Sequence, residues 1–186
     1  MTEAIAETTN DDAVDAVLVA RWQAGDERAA TELVRRHGPS LARFAVSLGE
    51  RADIEELVQD TFVRAFQALD GFRAESALRT WLFAIERRLV LDRRRTAARR
   101  WARESDEEAD GQISHTALDS VVADETQRRV TAALERLTPM QREVFTLRVT
   151  EGRSYREIAE IAGTTEGAAR VHYHNAMRAV KEFVDA

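Results

Sequence analysis

Apolar residues recur every three or four positions along most of the chain, which is the spacing of one face of an α-helix. In the first hundred residues, glycine and proline interrupt this pattern, and the runs between the interruptions predict five helices. The interruptions are Gly25, Gly38-Pro39, Gly49 and Asp70-Gly71. Five helices that each bury one apolar face are sufficient for a small bundle.

Polar residues that precede the apolar runs are typical of helix starts. Asp26 and Ser76 are each predicted to cap a helix with a side-chain oxygen. Three further pairs match the capping box, in which the cap residue and the residue three positions later each bond the other's backbone. They are Asp53 with Glu56, Thr138 with Gln141, and Ser154 with Glu157.

The second half of the chain predicts another set of helices, the first of which opens at Asp124. A short helix from Ser154 is followed by a turn at Gly163 and by a longer amphipathic helix after Thr165. This order is typical of a helix-turn-helix, whose second helix enters the major groove of DNA. No long segment alternates apolar and polar residues as a half-buried strand does.

The composition excludes several classes of protein. Hydrophobic residues form 44% and charged residues 32% of the 186 residues, which is sufficient for packed cores. The absence of cysteine excludes disulfide scaffolds, thiolate metal sites and cysteine nucleophiles. Residues 1–12 carry acids and no base, unlike a signal peptide, and no apolar run is long enough to span a membrane. We therefore expect a cytoplasmic protein without membrane insertion.

Charge is arranged in blocks within a net charge of −6. Residues 87–103 hold eight arginines against Asp92, and residues 104–125 hold eight acids and no base. The acidic stretch has little apolar periodicity and is predicted to be a flexible linker. The sequence thus predicts an all-α protein with an N-terminal helix bundle (13–100), a linker (101–123) and a C-terminal four-helix domain with the helix-turn-helix (124–186).

Two stretches have the residue types that bind nucleic acid. The outer face of the last helix carries Arg and Asn, which pair with guanine and adenine, although a solvated helical hairpin would show the same spacing. Between Phe72 and Arg95, aromatic residues alternate with arginines, a mixture that suits an opened single strand. The alternative for this stretch is that Trp81 packs in the core and the arginines face water.

Two other features of the sequence concern partner binding and catalysis. Helix 53–69 has an acidic outer face, which suits a basic helical partner or simply water. The sequence has none of the common metal, nucleotide or hydrolase motifs, and His172 and His174 point in diverging directions on a helix. We expect no enzyme activity, no catalytic residue, no cofactor and no metal.

The chain resembles bacterial sigma factors of the extracytoplasmic-function (ECF) group of the sigma-70 family. Three blocks carry the resemblance and occur in family order. They are residues 53–66, residues 72–85 continuing to Leu91-Asp92-Arg-Arg-Arg, and residues 137–145 with 154–163. The resemblance implies two domains, sigma domain 2 and sigma domain 4, which dock on core RNA polymerase through the clamp helices of the β′ subunit and the β flap. It also implies promoter DNA and an anti-sigma factor as partners.

The resemblance assigns roles to residues at three places. The polymerase-binding residues would be Glu55, Glu56, Gln59 and Asp60. The −10 DNA-binding residues would be Phe72, Arg73, Ser76, Arg79, Trp81, Arg87, Arg88 and Arg95, with loop 71–77 as the pocket for a flipped base. The −35 DNA-binding residues would be Thr165, Glu166, Arg170, His172, His174, Asn175 and Arg178.

The sequence is also compatible with two other functions. A stand-alone helix-turn-helix regulator would bind duplex DNA without polymerase, usually as a dimer. A sigma mimic would only sequester an anti-sigma protein.

Overall fold

The computed structural model describes residues 2–69, 72, 76–104 and 132–184, which are helices joined by short turns. Seven α-helices are assigned there, and residues 132–135 are also helical. They are α1 (Thr2–Gln23), α2 (Glu27–Ser47), α3 (Ile54–Ala68), α4 (Leu78–Glu104), α5 (Pro139–Phe145), α6 (Tyr155–Ala162) and α7 (Glu166–Val184). None of the described residues forms a strand, so the predicted all-α class is confirmed.

Two helical domains, α1–α4 and residues 132–184, lie on either side of the stretch 105–131. The predicted helix start at Asp124 and residues 105–123 of the predicted linker lie outside the described residues. Residues 101–104 of that linker are the last turn of α4.

The predicted helix break at Gly38-Pro39 is wrong, because α2 continues through Pro39 to Ser47. A proline inside a helix loses one backbone hydrogen bond and costs about 3 kcal/mol. Leu33 and His37 before the proline and Leu41 and Phe44 after it are all buried. The burial of one continuous apolar face therefore offsets the cost of the proline. The bundle consequently has four helices instead of the predicted five.

The helix starts in the first domain are only partly as predicted. Asp26 caps α2, and its Oδ1 accepts a hydrogen bond of 3.0 Å from the Arg28 N–H. Asp53 forms no capping box, because its φ of 55° is left-handed and its side chain makes no bond to the helix start. In α4 the first carbonyl that accepts a helical hydrogen bond is that of Ala77, from the Trp81 N–H. The helix therefore starts one residue after the predicted cap, Ser76.

In the second domain both predicted capping boxes, at Thr138 and Ser154, are present with both of their bonds. Gly163 ends α6 with a φ of 63°, a conformation that side chains with a Cβ rarely adopt. Between α5 and α6 the chain forms a π-helical turn, Thr146–Thr150, which the apolar pattern did not predict.

The two domains share a continuous apolar core. Leu78, Leu82 and Phe83 of α4 belong to the same buried cluster as Val144 and Ile158 of the second domain. Helix α4 packs against α6, and α2 packs against α5. The helix-turn-helix therefore lies directly on the first domain. Among the described residues, no helix has the length and apolar character that crossing a membrane requires.

Candidate functional site

The predicted polymerase-binding residues lie together on the outer side of α3. Glu55, Glu56 and Gln59 are exposed, and Asp60 is half-buried. Arg93 of α4 bonds two of these acids, with Nη2 at 3.1 Å from Glu56 Oε1 and 2.7 Å from Asp60 Oδ2. The side-chain hydrogen bond to Asp60 raises the pKa of Arg93, so this cation remains charged on an otherwise acidic surface.

The aromatic residues predicted to contact the −10 strand are packed into the bundle edge. The rings of Phe72 and Trp81 lie 5.0 Å apart, and both are partly buried against the core. Ser76 beside them is half-buried. Arg73 and most of the predicted pocket loop 71–77 lie outside the described residues.

Arg79, another predicted −10 residue, is paired with the second domain. Its Nη2 donates to Glu151 Oε2 and, at 2.9 Å, to Ser40 Oγ. Burial lowers the pKa of Arg79, and the nearby positive charge of Arg153 adds to this, while Glu151 opposes it. The guanidinium is thus held by a carboxylate from another domain.

The remaining predicted −10 arginines lie in different environments along α4. Arg87 Nε donates a hydrogen bond of 2.6 Å to Glu143 Oε1, and both side chains are largely buried. Burial raises the pKa of Glu143, and the charge and hydrogen bond of Arg87 oppose that rise. Arg88 and Arg95 are exposed, with Arg95 Nη1 3.6 Å from Asp92 Oδ1.

The predicted −35 residues lie along α7. Thr165 Oγ1 accepts a hydrogen bond of 3.1 Å from the Ala168 N–H and so caps the helix. Four members, spaced four residues apart, form an exposed row along one side of the helix: Glu166, Arg170, His174 and Arg178. His172 and Asn175 are half-buried and lie off this row. Arg170 also lies over the ring of Tyr155, with its Cζ 5.2 Å from the centroid.

The sequence interpretation missed three buried glutamates, Glu86, Glu143 and Glu151, at the junction of the two domains. Helical spacing could have indicated two of them. Glu86 lies three residues from both Phe83 and Leu89, which are buried, and Glu143 lies four residues before the buried Leu147. A carboxyl group on an apolar face needs either a partner or a proton, and local sequence shows neither.

Comparison with known proteins gives matches to both domains. Residues 33–100 match the family Sigma-70 region 2, and residues 127–180 match Sigma-70, region 4. The ECF RNA polymerase sigma-E factor of Escherichia coli (strain K12) is 33% identical over 181 residues, which are 89% of this chain and 92% of that protein. The chain belongs to the ECF sigma factors of the sigma-70 family.

Two solved structures resemble this sigma factor across most of its length. The sigma factor RpoE from Bartonella quintana, in complex with the anti-sigma factor NepR, aligns with a TM-score of 0.67 and 27% identity. That alignment covers 84% of this chain and 96% of RpoE. CnrH, in complex with the cytosolic domain of CnrY, aligns with a TM-score of 0.65 and 31% identity over 92% of this chain and 97% of CnrH.

The family matches coincide with the candidate surfaces. The residues predicted for polymerase and −10 binding all fall within the region 2 match, and those predicted for −35 binding fall within the region 4 match.

Proposed function

We propose that this sigma factor binds core RNA polymerase and directs promoter-specific initiation, with the first domain contacting the −10 element and the second the −35 element. The observation that carries the proposal is that one chain joins an exposed acidic face on α3 to a helix-turn-helix with an exposed polar α7. The protein acts in the cytoplasm, where polymerase and chromosome lie, and supplies specificity without catalysis. The domain bounds we propose are 13–104 and 124–186, with 105–123 as linker, because α4 continues to Glu104.

The acidic face of α3 is the proposed contact with the β′ clamp helices. Glu55, Glu56 and Gln59 project to solvent, where a basic partner can reach them. Arg93 orients Glu56 and Asp60 through its two hydrogen bonds. Opposite charge on the partner would both speed association and select the docking orientation.

Helix α7 is the proposed −35 recognition helix. Its N-terminus, capped by Thr165, presents Glu166 and Arg170 to solvent, as expected for a helix whose first turns meet base edges. Further along, Arg178 and His174 are exposed and suit phosphate contacts. The second contact to polymerase, at the β flap, belongs to this domain by analogy with the family.

An anti-sigma factor is the proposed regulator. Two similar proteins were solved with partners bound, the sigma factor RpoE with an anti-sigma factor and CnrH with the cytosolic domain of CnrY. Similarity over most of each chain supports a partner of this kind here.

Run-off transcription tests the proposal. Purified protein with bacterial core polymerase, on a pool of promoter fragments, should give transcripts that core alone does not give. Reversing Glu55, Glu56 and Asp60 to Lys should lower the yield at least tenfold, because the basic clamp partner is then repelled. The matched control reverses Glu27, Glu32 and Glu182, which lie on other helices, and should stay near the parent yield.

Other results would overturn the proposal. A shift of duplex DNA by the protein alone, without any core-dependent transcript, would indicate a stand-alone regulator. No transcript and no shift would indicate a sigma mimic.

A further inference from the structure

Two buried carboxylates of the second domain meet arginines of the first, of which Arg79 and Arg87 are largely buried and Arg43 is half exposed. Glu151 and Glu143 are 2% and 4% exposed, although both are ionisable residues that normally face water. Their partners, Arg79 and Arg87, are two of the residues predicted to bind the −10 strand. The junction therefore covers part of the candidate DNA surface.

Glu151 is held from two helices of the first domain. Its Oε1 accepts a hydrogen bond of 3.0 Å from Arg43 Nε of α2, and its Oε2 accepts one from Arg79 of α4. Both arginines also donate to Ser40 Oγ, each at 2.9 Å. Each oxygen of this carboxylate thus accepts from a different guanidinium.

A second group of hydrogen bonds joins α4 to the second domain, near the turn of the helix-turn-helix. Arg87 bonds Glu143 at 2.6 Å, and its Nη1 lies 3.9 Å from the place that a Cβ added to Gly163 would occupy. Thr80 Oγ1 donates a hydrogen bond of 2.9 Å to Glu157 Oε1, which also accepts one of 3.0 Å from Arg153 Nη1. The first helix and turn of the motif therefore face α4.

The α7 surface is not covered by this junction. Thr165, Glu166, Arg170 and Arg178 are exposed while Arg79 and Arg87 are occupied. The closed arrangement consequently leaves these α7 residues exposed and occupies two of the predicted −10 arginines, Arg79 and Arg87, while Arg88 and Arg95 stay exposed.

The physical character of the junction suits reversible opening. Buried ion pairs regain much of their desolvation cost when water returns, so they specify an arrangement more than they stabilise it. Phosphate offers the same bidentate partner to a guanidinium as carboxylate does. Opening the junction would therefore release arginines that DNA can bind at once.

We propose that the Arg43, Arg79 and Arg87 surface of the first domain is an intramolecular docking site for the second domain, whose Glu143 and Glu151 take the places of DNA phosphates. The free protein is then closed and binds single-stranded promoter DNA weakly until the domains part. The DNA role rests on the proposed function, whereas the docking site itself does not.

The test uses the full chain with two dyes. Because the sequence has no cysteine, Val46→Cys and Met177→Cys provide labelling sites on exposed residues of α2 and α7. Energy transfer between the dyes reports domain separation, and a fluorescein-labelled 12-nucleotide oligo-dT strand reports single-strand binding. In the Glu143→Gln/Glu151→Gln variant, transfer should fall and oligo-dT affinity should rise at least fivefold.

A matched control removes the same two charges from exposed positions. Glu135 also bonds the first domain, through Arg51 at 3.2 Å, but both side chains are about half exposed. Such a pair contributes little. The Glu135→Gln/Glu182→Gln variant should therefore keep the parent energy transfer and oligo-dT affinity.

A charge swap separates opening from misfolding. Arg87→Glu alone should open the protein, and Arg87→Glu/Glu143→Arg should restore closure, which a misfolded domain would not do. Unchanged energy transfer in the Gln variant would overturn the docking site. Lower transfer with unchanged oligo-dT affinity would overturn the competition with DNA.

The result of the energy-transfer test can be distinguished from the result of run-off transcription. Core-dependent transcripts from a protein whose junction variants do not open would leave the sigma function standing and reject the docking site. Junction variants that open, in a protein that gives no core-dependent transcript, would support the docking site and reject the sigma function.

Discussion

At the scale of single residues, Glu86 shows how burial reverses the ordinary state of a carboxyl. It is 0% exposed, and neither of its oxygens has a hydrogen-bond partner among the described residues. Burial, followed by the negative charge of Glu151, raises the pKa of Glu86 from 4.5 to about 9. At neutral pH this side chain is therefore neutral, and the carboxyl is compatible with its apolar neighbours on α4.

This pKa predicts a pH-dependent stability. Between pH 4.5 and about 9 the folded protein holds a proton on Glu86 that the unfolded chain releases. The contribution of Glu86 to the free energy of unfolding is therefore complete below pH 4.5 and is lost as the pH rises toward 9, by at most about 1.4 kcal/mol per pH unit. Glu86→Gln, which cannot ionise, should flatten this fall and be more stable than the parent at pH 8.5.

Urea unfolding at pH 5.5, 7 and 8.5 measures the effect, with the exposed Glu182→Gln as the control that keeps the parent profile. Parallel profiles for the parent and Glu86→Gln would contradict the assignment.

At the scale of elements, the two prolines of the chain occupy opposite helical contexts. Pro39 lies inside α2, where a residue with an N–H would complete a backbone hydrogen bond. Pro139 is the first residue of α5, where that N–H has no helical partner. Both side chains are exposed, so packing does not distinguish them.

Replacing Pro39 by Ala should therefore raise the free energy of unfolding by about 1–3 kcal/mol, since the helix regains a bond and loses a clash. Pro139→Ala is the matched control and should change it by less than about 0.5 kcal/mol. Thermal and urea unfolding of both variants measure the difference. Equal effects of the two substitutions would show that α2 accommodates its proline without cost.

At the scale of the whole molecule, the shared core couples the domains. The chain's three tryptophans, Trp22, Trp81 and Trp101, all lie on α1 or α4, so their fluorescence reports mainly the helices of the first domain. Far-UV circular dichroism reports the helices of both. With one continuous core, the two signals should unfold together in the parent protein.

Weakening the junction should separate the two signals. In Glu143→Gln/Glu151→Gln, the small second domain loses the support of α4, and the dichroism midpoint should fall below the tryptophan midpoint in urea. Glu135→Gln/Glu182→Gln should keep them coincident. Coincident transitions in both variants would mean that the buried ion pairs do not couple the domains.

The sequence by itself determined the helical class, the capping boxes at Thr138 and Ser154, the turn at Gly163 and the three family blocks. These features depend on residues within about four positions of each other, which a local pattern contains. The continuity of α2 through Pro39 and the left-handed Asp53 depend on what surrounds them. The pairs Arg87–Glu143 and Arg79–Glu151, 56 and 72 residues apart, arise only when the second domain docks on α4. Tertiary packing alone decided which of the predicted DNA-binding arginines are occupied, because burial turns distant charges into partners.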